Sequence, residues 1–268
     1  MKTLYSSVVI IISALLCSCE KNNPQENNDS DLLTKMLVNG ELFKEYIYNE
    51  ANLLAEEKTK FHYTRHTYDK DNNLIESEFY MDPAMYSSTM SVVQAAMEKK
   101  EWASPENTEK DLTQQFEYSN DGTLLKKQYL RPRSTNTEYL TFEYENERIS
   151  KQILYFNNVL SGYTNFYYDE KGNLSKMDKY MVLSDGSTQF LTTTEYEYDN
   201  MKNPFRAFRR LLTPGICTNK NNITRETYTI HFDPGVSVQR VSVIENEYEY
   251  NRQGYPVRVN GEAEYIYR

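Results

Sequence analysis

Three histidines, three cysteines and 39 carboxylates are the side chains of this 268-residue chain with obvious chemical potential. His62 and His66 lie four apart. On a strand that spacing sets both rings on one face, where they could share a metal or simply pack; His231 is far away in sequence. The run Asp69-Lys70-Asp71-Asn72-Asn73 begins like a calcium loop, with oxygen ligands at alternate positions. Leu74 stands where such a loop needs glycine, and Tyr80 where it needs a bidentate glutamate, so the run reads as a turn. No metal site is expected. Cys217 has no patterned histidine partner and reads as a small buried or loop residue. Any two carboxylates could form an acid/base pair of the glycosidase kind, but 39 of them nominate none. A Gly-rich phosphate loop, a His-Glu-x-x-His helix and a Gly-x-Ser-x-Gly elbow are all missing from the sequence. No catalytic residue and no cofactor is therefore assigned. Arg206, Arg209 and Arg210 make one local basic patch, either a solvated helix face or a contact for an anion.

The thiols at the start of the chain are a different matter. Lys2 precedes the short apolar run Val8 to Leu16, which is too brief to span a bilayer. It ends in Leu16-Cys17-Ser18-Cys19, which resembles a bacterial lipobox: a large aliphatic residue, then a small one, then the cysteine. Cys19 fits because Ser18 precedes it, and Cys17 does not because Leu16 would be too bulky at the cleavage position. The resemblance implies a signal peptide over residues 1–18, cleavage before Cys19, and acylation of the Cys19 thiol and new amine. Removal of Cys17 and acylation of Cys19 would leave Cys217 alone, with no disulfide inside the chain. Residues 19–31 then form an acylated, Asn-rich polar tether with no apolar face to bury. The expected address is the outer membrane, held by lipid, facing either the periplasm or the cell surface.

A net charge of −9 makes a phosphate backbone an unfavourable partner, which sets nucleic acid aside. Tyrosine is the compositional outlier, 24 against a single Trp. Eleven of them belong to a repeated kernel. Tyr46-Ile47-Tyr48-Asn49, His66-Thr67-Tyr68-Asp69, Phe116-Glu117-Tyr118-Ser119 and Phe142-Glu143-Tyr144-Glu145 are followed by three more: Phe166-Tyr167-Tyr168-Asp169, Tyr196-Glu197-Tyr198-Asp199 and Tyr248-Glu249-Tyr250-Asn251. Turn residues and then an apolar residue follow in most copies, as in Gly172 to Leu174. Alternation puts the two rings of a kernel on one face and glutamates on the other, the period of a half-buried antiparallel strand. An Asp or Asn after the second ring can bond its own backbone, and Gly supplies a positive φ. Each copy is thus a hairpin, and Asn39-Gly40 and Asn260-Gly261 are further hairpin turns.

The expected fold is all-β: a repeated antiparallel hairpin meander, curled or barrel-like, with one or two inserted helices. Residues 32–268 form a single domain whose repeat is broken near 83–102 and 204–216. In the first break Met85, Thr89, Val92, Val93 and Met97 recur at helical spacing; the second starts at Pro204, which suits the opening of a short helix. Glutamates on the face opposite the rings argue against a membrane-embedded barrel, whose lipid face must be apolar.

Phe166 to Leu174, a Tyr/Phe-x-Tyr-Asp-x-x-Gly-Asn-Leu form, resembles the YD (Rhs-type) repeat, which builds long curling sheets. The lipobox, the repeats and the segment Tyr198 to Phe205 together are similar to uncharacterised Gram-negative lipoproteins with a porin-like β fold, over roughly residues 36–268. The chain departs from true YD repeats in its uneven spacing, its two insertions, and the lack of glycine at Asn52 and Asn73. The resemblance implies a fold and an envelope address but no activity. The expected role is a lipid-anchored, non-enzymatic binding or scaffold module for a glycan or an outer-membrane protein. A hydrolase using a carboxylate pair and a purely structural spacer are the alternatives. The tyrosine faces admit two readings, packing within the sheet or a stacking platform for a flat ligand.

Overall fold

The computed structural model describes residues 31–83, 85, 101–211, 214–232 and 240–268. They form one antiparallel sheet of 17 strands. In chain order these are β1 (Leu33–Val38), β2 (Glu41–Tyr48), β3 (Leu54–Lys58), β4 (His62–Tyr68), β5 (Leu74–Met81) and β6 (Glu109–Tyr118). Then come β7 (Leu124–Leu130), β8 (Glu138–Glu145), β9 (Arg148–Phe156), β10 (Val159–Tyr168), β11 (Leu174–Val182) and β12 (Thr188–Tyr198). The last five are β13 (Ile223–Ile230), β14 (Arg240–Glu245), β15 (Tyr248–Tyr250), β16 (Pro256–Val259) and β17 (Ala263–Tyr267). A 3-10 helix, Pro204–Leu211, lies inside the second insertion, where the sequence placed one. The helix expected over 83–102 falls almost wholly outside the described residues.

The meander predicted from the repeat is what forms. Every strand except β14 and β15 pairs with both of its neighbours in sequence, and β17 returns to pair with β1, so the sheet curls until its ends meet. The ladder is nevertheless not closed. β14 pairs with β13 and β15 with β16, but β14 and β15 do not pair with each other. Asn246 N donates to Thr224 O (2.8 Å) on the β13 side, and Glu247 O accepts from Asn260 N (2.9 Å) on the β16 side. One extended run thus changes partner along its length, and the seam lies at the change.

Seven kernels sit at the ends of seven strands, and each hairpin is built alike. The Asp, Asn or Ser after the second ring caps the turn: Asp69 Oδ1 accepts from Asp71 N (2.9 Å) and Asn73 N (2.8 Å), and Asn251 Oδ1 from Gln253 N (3.1 Å) and Tyr255 N (2.9 Å). The left-handed residue that follows is Gly122, Gly172 or Gly254 in three copies, and Asn52 and Asn72 in two others. The glycine position in the second copy is therefore Asn72, one residue before the Asn73 expected; asparagine tolerates that conformation better than most residues. In the shortened fourth copy Asn146 and Glu147 are both left-handed, the geometry of a tight two-residue hairpin turn.

A bulge follows every kernel turn. Tyr118 faces Leu124 whereas Glu117 faces Lys126, which leaves Leu125 unopposed. Ala55, Ile75, Ser150, Ser175, Thr224 and Val257 hold the same place in the other hairpins. The bulge resets the alternation of the returning strand, and it exposes Ile75 and Leu125. The residue before it points inward and is fully buried: Leu54, Leu74, Leu124, Ile149 and Leu174. Each such burial contributes roughly 1.5–3 kcal/mol.

In six of the seven kernels the second ring ties one hairpin to the one before; in the seventh the first ring, Tyr248, donates to Ile223 O (2.8 Å) and Tyr250 donates to Asp199. Tyr48 Oη donates to Leu33 O (2.6 Å), Tyr68 to Leu54 O (2.7 Å), Tyr118 to Leu74 O (2.9 Å) and Tyr144 to Leu124 O (2.8 Å). The series continues with Tyr168 to Ile149 O (2.8 Å) and Tyr198 to Leu174 O (2.6 Å), and Tyr267 donates to Pro256 O (2.6 Å) in β16. These carbonyls belong to the buried residues that start the returning strands. The Tyr48, Tyr198 and Tyr267 hydroxyls are pushed well above their ordinary pKa, burial being the largest cause.

Candidate functional site

The two ends of the curled sheet differ. At the kernel end, where β1 begins, the turn after Tyr198 has been opened to admit residues 200–221, yet its cap survives. Asp199 Oδ1 accepts from Met201 N (2.9 Å) and Asn222 N (3.0 Å), and Asn222 Nδ2 donates to Asp199 Oδ2 (3.0 Å), as Asn173 Nδ2 does to Asp169 Oδ2 (3.1 Å) in an ordinary turn. From there the insertion crosses to the far side of the ring. Phe208 packs on the rings of Tyr46 (4.9 Å) and Tyr48 (6.2 Å), and Phe205 meets Tyr265 edge-on (5.8 Å). Together with Leu33, Met36, Leu54 and Cys217 they cover this end of the inner face.

At the opposite end, large apolar side chains are left exposed. They lie where β9 meets β10 (Phe156, Val159 at 67%, Leu160), after β11 (Leu183), after β13 (Phe232) and on β14 (Val241 at 59%).

Between the ends, the inner face carries buried polar groups. Lys44 Nζ pairs with Glu57, whose other oxygen lies 3.2 Å from His66 Nε2; His66 Nδ1 is 2.9 Å from Ser77 Oγ. Burial alone would raise the Glu57 carboxyl, but Lys44 and His66 outweigh it and hold it down at about 2. An ionised carboxylate only accepts, so Nε2 carries the hydrogen and the neutral tautomer leaves Nδ1 to accept from Ser77. The order hydroxyl, imidazole, carboxylate matches that of a nucleophile, its base and an orienting group. Ser77, however, is only 2% exposed, and its hydroxyl is already taken up by the His66 ring. The chain of contacts is a structural network.

Lys127 is unlike the rest. It points inward from β7, is 1% exposed, and makes no hydrogen bond or ion pair among the described residues. Its ammonium lies over the rings of Phe116 (5.5 Å) and Tyr129 (5.3 Å), and burial pushes its pKa down to about 7. Beside it in register are Gln114, facing Tyr129, and Leu140. On β13, burial raises the Glu226 carboxyl.

The outer face is a lattice of charge and stacked rings. The outward residue of four kernels meets a basic side chain across its hairpin: Glu117 with Lys126 (3.3 Å), Glu143 with Lys151 (3.7 Å), Glu197 with Arg225 (3.8 Å) and Glu249 with Arg258 (3.7 Å). Such exposed pairs stabilise little, but a lipid-facing wall would not carry them. Tyr139 stacks on Tyr155 at 4.9 Å, and Tyr163, Tyr180, Phe190 and His231 form a continuous ladder at 4.7, 4.9 and 4.1 Å. At that spacing each ring face is covered by the next, and Lys151 lies over Tyr163 at 4.8 Å. The kernel rings point inward, and one hydroxyl of each kernel donates to a carbonyl. Packing is therefore the arrangement the tyrosines adopt, and little ring face is left for a flat ligand.

The residues singled out in the sequence separate in space. His62 and His66 share the inner face of β4, but only His66 joins the polar network; His62 has its pKa lowered by burial and then by Lys44. Asp69 is occupied as a turn cap. Arg206 Nη1 donates to Thr218 O (3.2 Å), which ties it within the insertion. Cys217 is disulfide-bonded to a partner outside the described residues, which corrects the expectation that it stands alone and removes it as a nucleophile. Cys19 itself, the lipidation candidate, lies outside the described residues. Lys127, Glu57, Ser77 and Gln114 were not singled out from the sequence. The regular bulge after each turn is the signal that would have set them on the inner face.

No protein-family model and no curated protein matches the chain. Among solved structures it is similar to porin-like proteins from Bacteroides uniformis (11% identity, 88% of this chain and 98% of that one, TM-score 0.38) and Bacteroides vulgatus (13%, 88% and 99%, 0.39). It is also similar to a DUF3836 family protein from Parabacteroides distasonis (13% identity, 41% of this chain and 91% of that one, TM-score 0.28). These are all-β neighbours at low identity, and scores of this size add nothing to what the strand pairing already establishes.

Proposed function

We propose that this chain is a lipid-anchored, non-enzymatic binding module of the bacterial envelope, tethered through Cys19 and meeting its ligand or partner at the end of the sheet away from the tether. The observation that carries this reading is the contrast between the two ends. The described chain enters at the kernel end, which the turns and the insertion cover. Ile47, Ile75 and Leu125 are exposed beside the kernel turns, and the larger set Phe156, Val159, Leu160, Leu183 and Phe232 gathers at the other end. A tether of the length of residues 19–31 has a root-mean-square reach of about 20 Å, while the longest strand, β12 with 11 residues, spans roughly 36 Å. The apolar rim would thus face away from the anchoring membrane, toward a partner rather than toward its own lipid.

Two measurements test the two halves. Expressed with its leader in a Gram-negative host fed radiolabelled palmitate, the chain should take up label, lose it in Cys19→Ala, and fractionate with outer membranes. Unlabelled wild type, or label persisting in Cys19→Ala, refutes the anchor. Native chain extracted in mild detergent should co-purify with its ligand or partner, and lose it when Val159→Asp and Leu160→Asp are combined. Co-purification indifferent to those changes refutes the rim as the contact.

A further inference from the structure

We propose that the inner face beneath β6, β7 and β8 is a binding site for a small apolar carboxylate, such as a medium-chain fatty acid, with Lys127 as its counter-charge. The inference takes the open rim as the ligand-facing end from the reading above, and does not depend on the lipid anchor.

The first support is the lysine's isolation. A buried ammonium without a partner is costly, and folded proteins ordinarily pair it or place it in water. Lys127 has neither: it is 1% exposed and is bracketed by Phe116 and Tyr129. An anion arriving there would supply the missing charge. The second support is what surrounds it. Two further polar groups, the Gln114 amide and the Tyr129 hydroxyl, lie on the adjoining inward positions and make no side-chain hydrogen bond among the described residues. An ammonium, an amide and a hydroxyl can all donate to the two oxygens of a carboxylate.

The third support is the apolar remainder of the wall. Leu140 faces Lys127, Leu154 faces Leu140, and Phe142 lies two residues further along β8. Few polar groups set in an apolar lining is the usual make-up of a small-molecule site. Burial also falls toward the rim, from Ile149 (0%) through Leu154 to Phe156 (43%) along β9. Lys127 lies one inward position from Tyr129, the last inward residue of β7. Glu138, which faces Tyr129, has Arg131 at 3.9 Å to offset it.

The test uses the full chain carrying Cys19→Ser, so that acylation adds no acyl chain of its own, in detergent-free buffer at pH 6.5. Calorimetric titration with sodium decanoate should give one site, about tenfold tighter than for decanol, its uncharged counterpart. Lys127→Met should bring the two ligands to within about twofold of each other. Lys127→Arg, which keeps the charge, should preserve a preference for the acid. The proposal is overturned if decanoate gives no heat, if acid and alcohol bind alike to the wild type, or if the preference survives Lys127→Met. Val159→Asp with Leu160→Asp tests the rim independently. If that variant binds decanoate as the wild type does while Lys127→Met does not, the rim reading falls and the site stands.

Discussion

Lys127→Met should make the chain more stable, by an amount that depends on pH. Burial holds the Lys127 ammonium at about 7 against an ordinary 10.5. Between those values the unfolded chain binds more protons than the folded one, so the stability of the wild type rises as pH climbs through this window. The penalty is fully present below pH 7 and vanishes above 10.5. At about 1.36 kcal/mol per pKa unit it amounts to ~4–5 kcal/mol at its largest. Relaxation of the surroundings will return part of this, so the expected gain from methionine, which has a similar length and no charge, is ~2–4 kcal/mol at pH 7. For a domain of this size that is about 5–10 °C in melting temperature. Urea unfolding at pH 6, 8 and 10 would follow it: the curves of wild type and variant should lie far apart at pH 6 and converge by pH 10. An offset that does not change with pH, or a variant less stable than the wild type at pH 7, would refute the claim that the ammonium is buried without a partner.

Four other perturbations probe the scaffold. Tyr168→Phe leaves Ile149 O without its donor and should cost ~1–2 kcal/mol in urea unfolding, whereas Tyr167→Phe, on the exposed face, should cost nothing measurable. Gly162→Ala would set its Cβ 2.5 Å from Tyr180 O, a backbone atom that cannot turn aside, and should destabilise by ~1–3 kcal/mol in the same assay. Glu57 has its folded pKa lowered to about 2, so its contribution is present above the unfolded value near 4.3 and is lost as pH falls toward 2. Glu57→Gln should therefore flatten the acid limb of the stability profile and cost ~3–5 kcal/mol at pH 7, because Lys44 is left buried without its carboxylate. Acylation of Cys19 and a disulfide through the same sulfur exclude each other. Mature lipidated chain, denatured without reductant, should thus show Cys217 as a free thiol by Ellman titration, and a blocked Cys217 would count against cleavage before Cys19.

Much of the architecture could be read from the sequence because its rules are local and repeated. A ring, a spacer, a second ring and a capping residue determine a strand end and its turn without reference to the rest of the chain. The second insertion shows how local that rule is. Asp199 and Asn222 reproduce the bonds of Asp169 and Asn173 although a helix and a loop now separate them. The seam was not legible. It depends on Asn246 and Glu247 turning to different neighbours, and nothing in those two residues marks the change.

The inner polar groups were hidden for a more specific reason. Strict alternation from Leu124 would send Lys126 and Gln128 inward and Lys127 out, the ordinary arrangement for a strand ending in polar residues. The unopposed Leu125 shifts the count by one, so Lys126 reaches outward to Glu117 while Lys127 is buried. The same shift at Ala55 turns Glu57 inward and leaves Glu56 out. A one-residue bulge costs the sheet little, yet it decides which of two adjacent lysines pairs on the surface and which enters the interior alone. In six hairpins the shift only chooses among side chains that find partners or water. In the hairpin of β6 and β7 it strands a charge, and for that reason the chemistry of this otherwise repetitive scaffold is concentrated there.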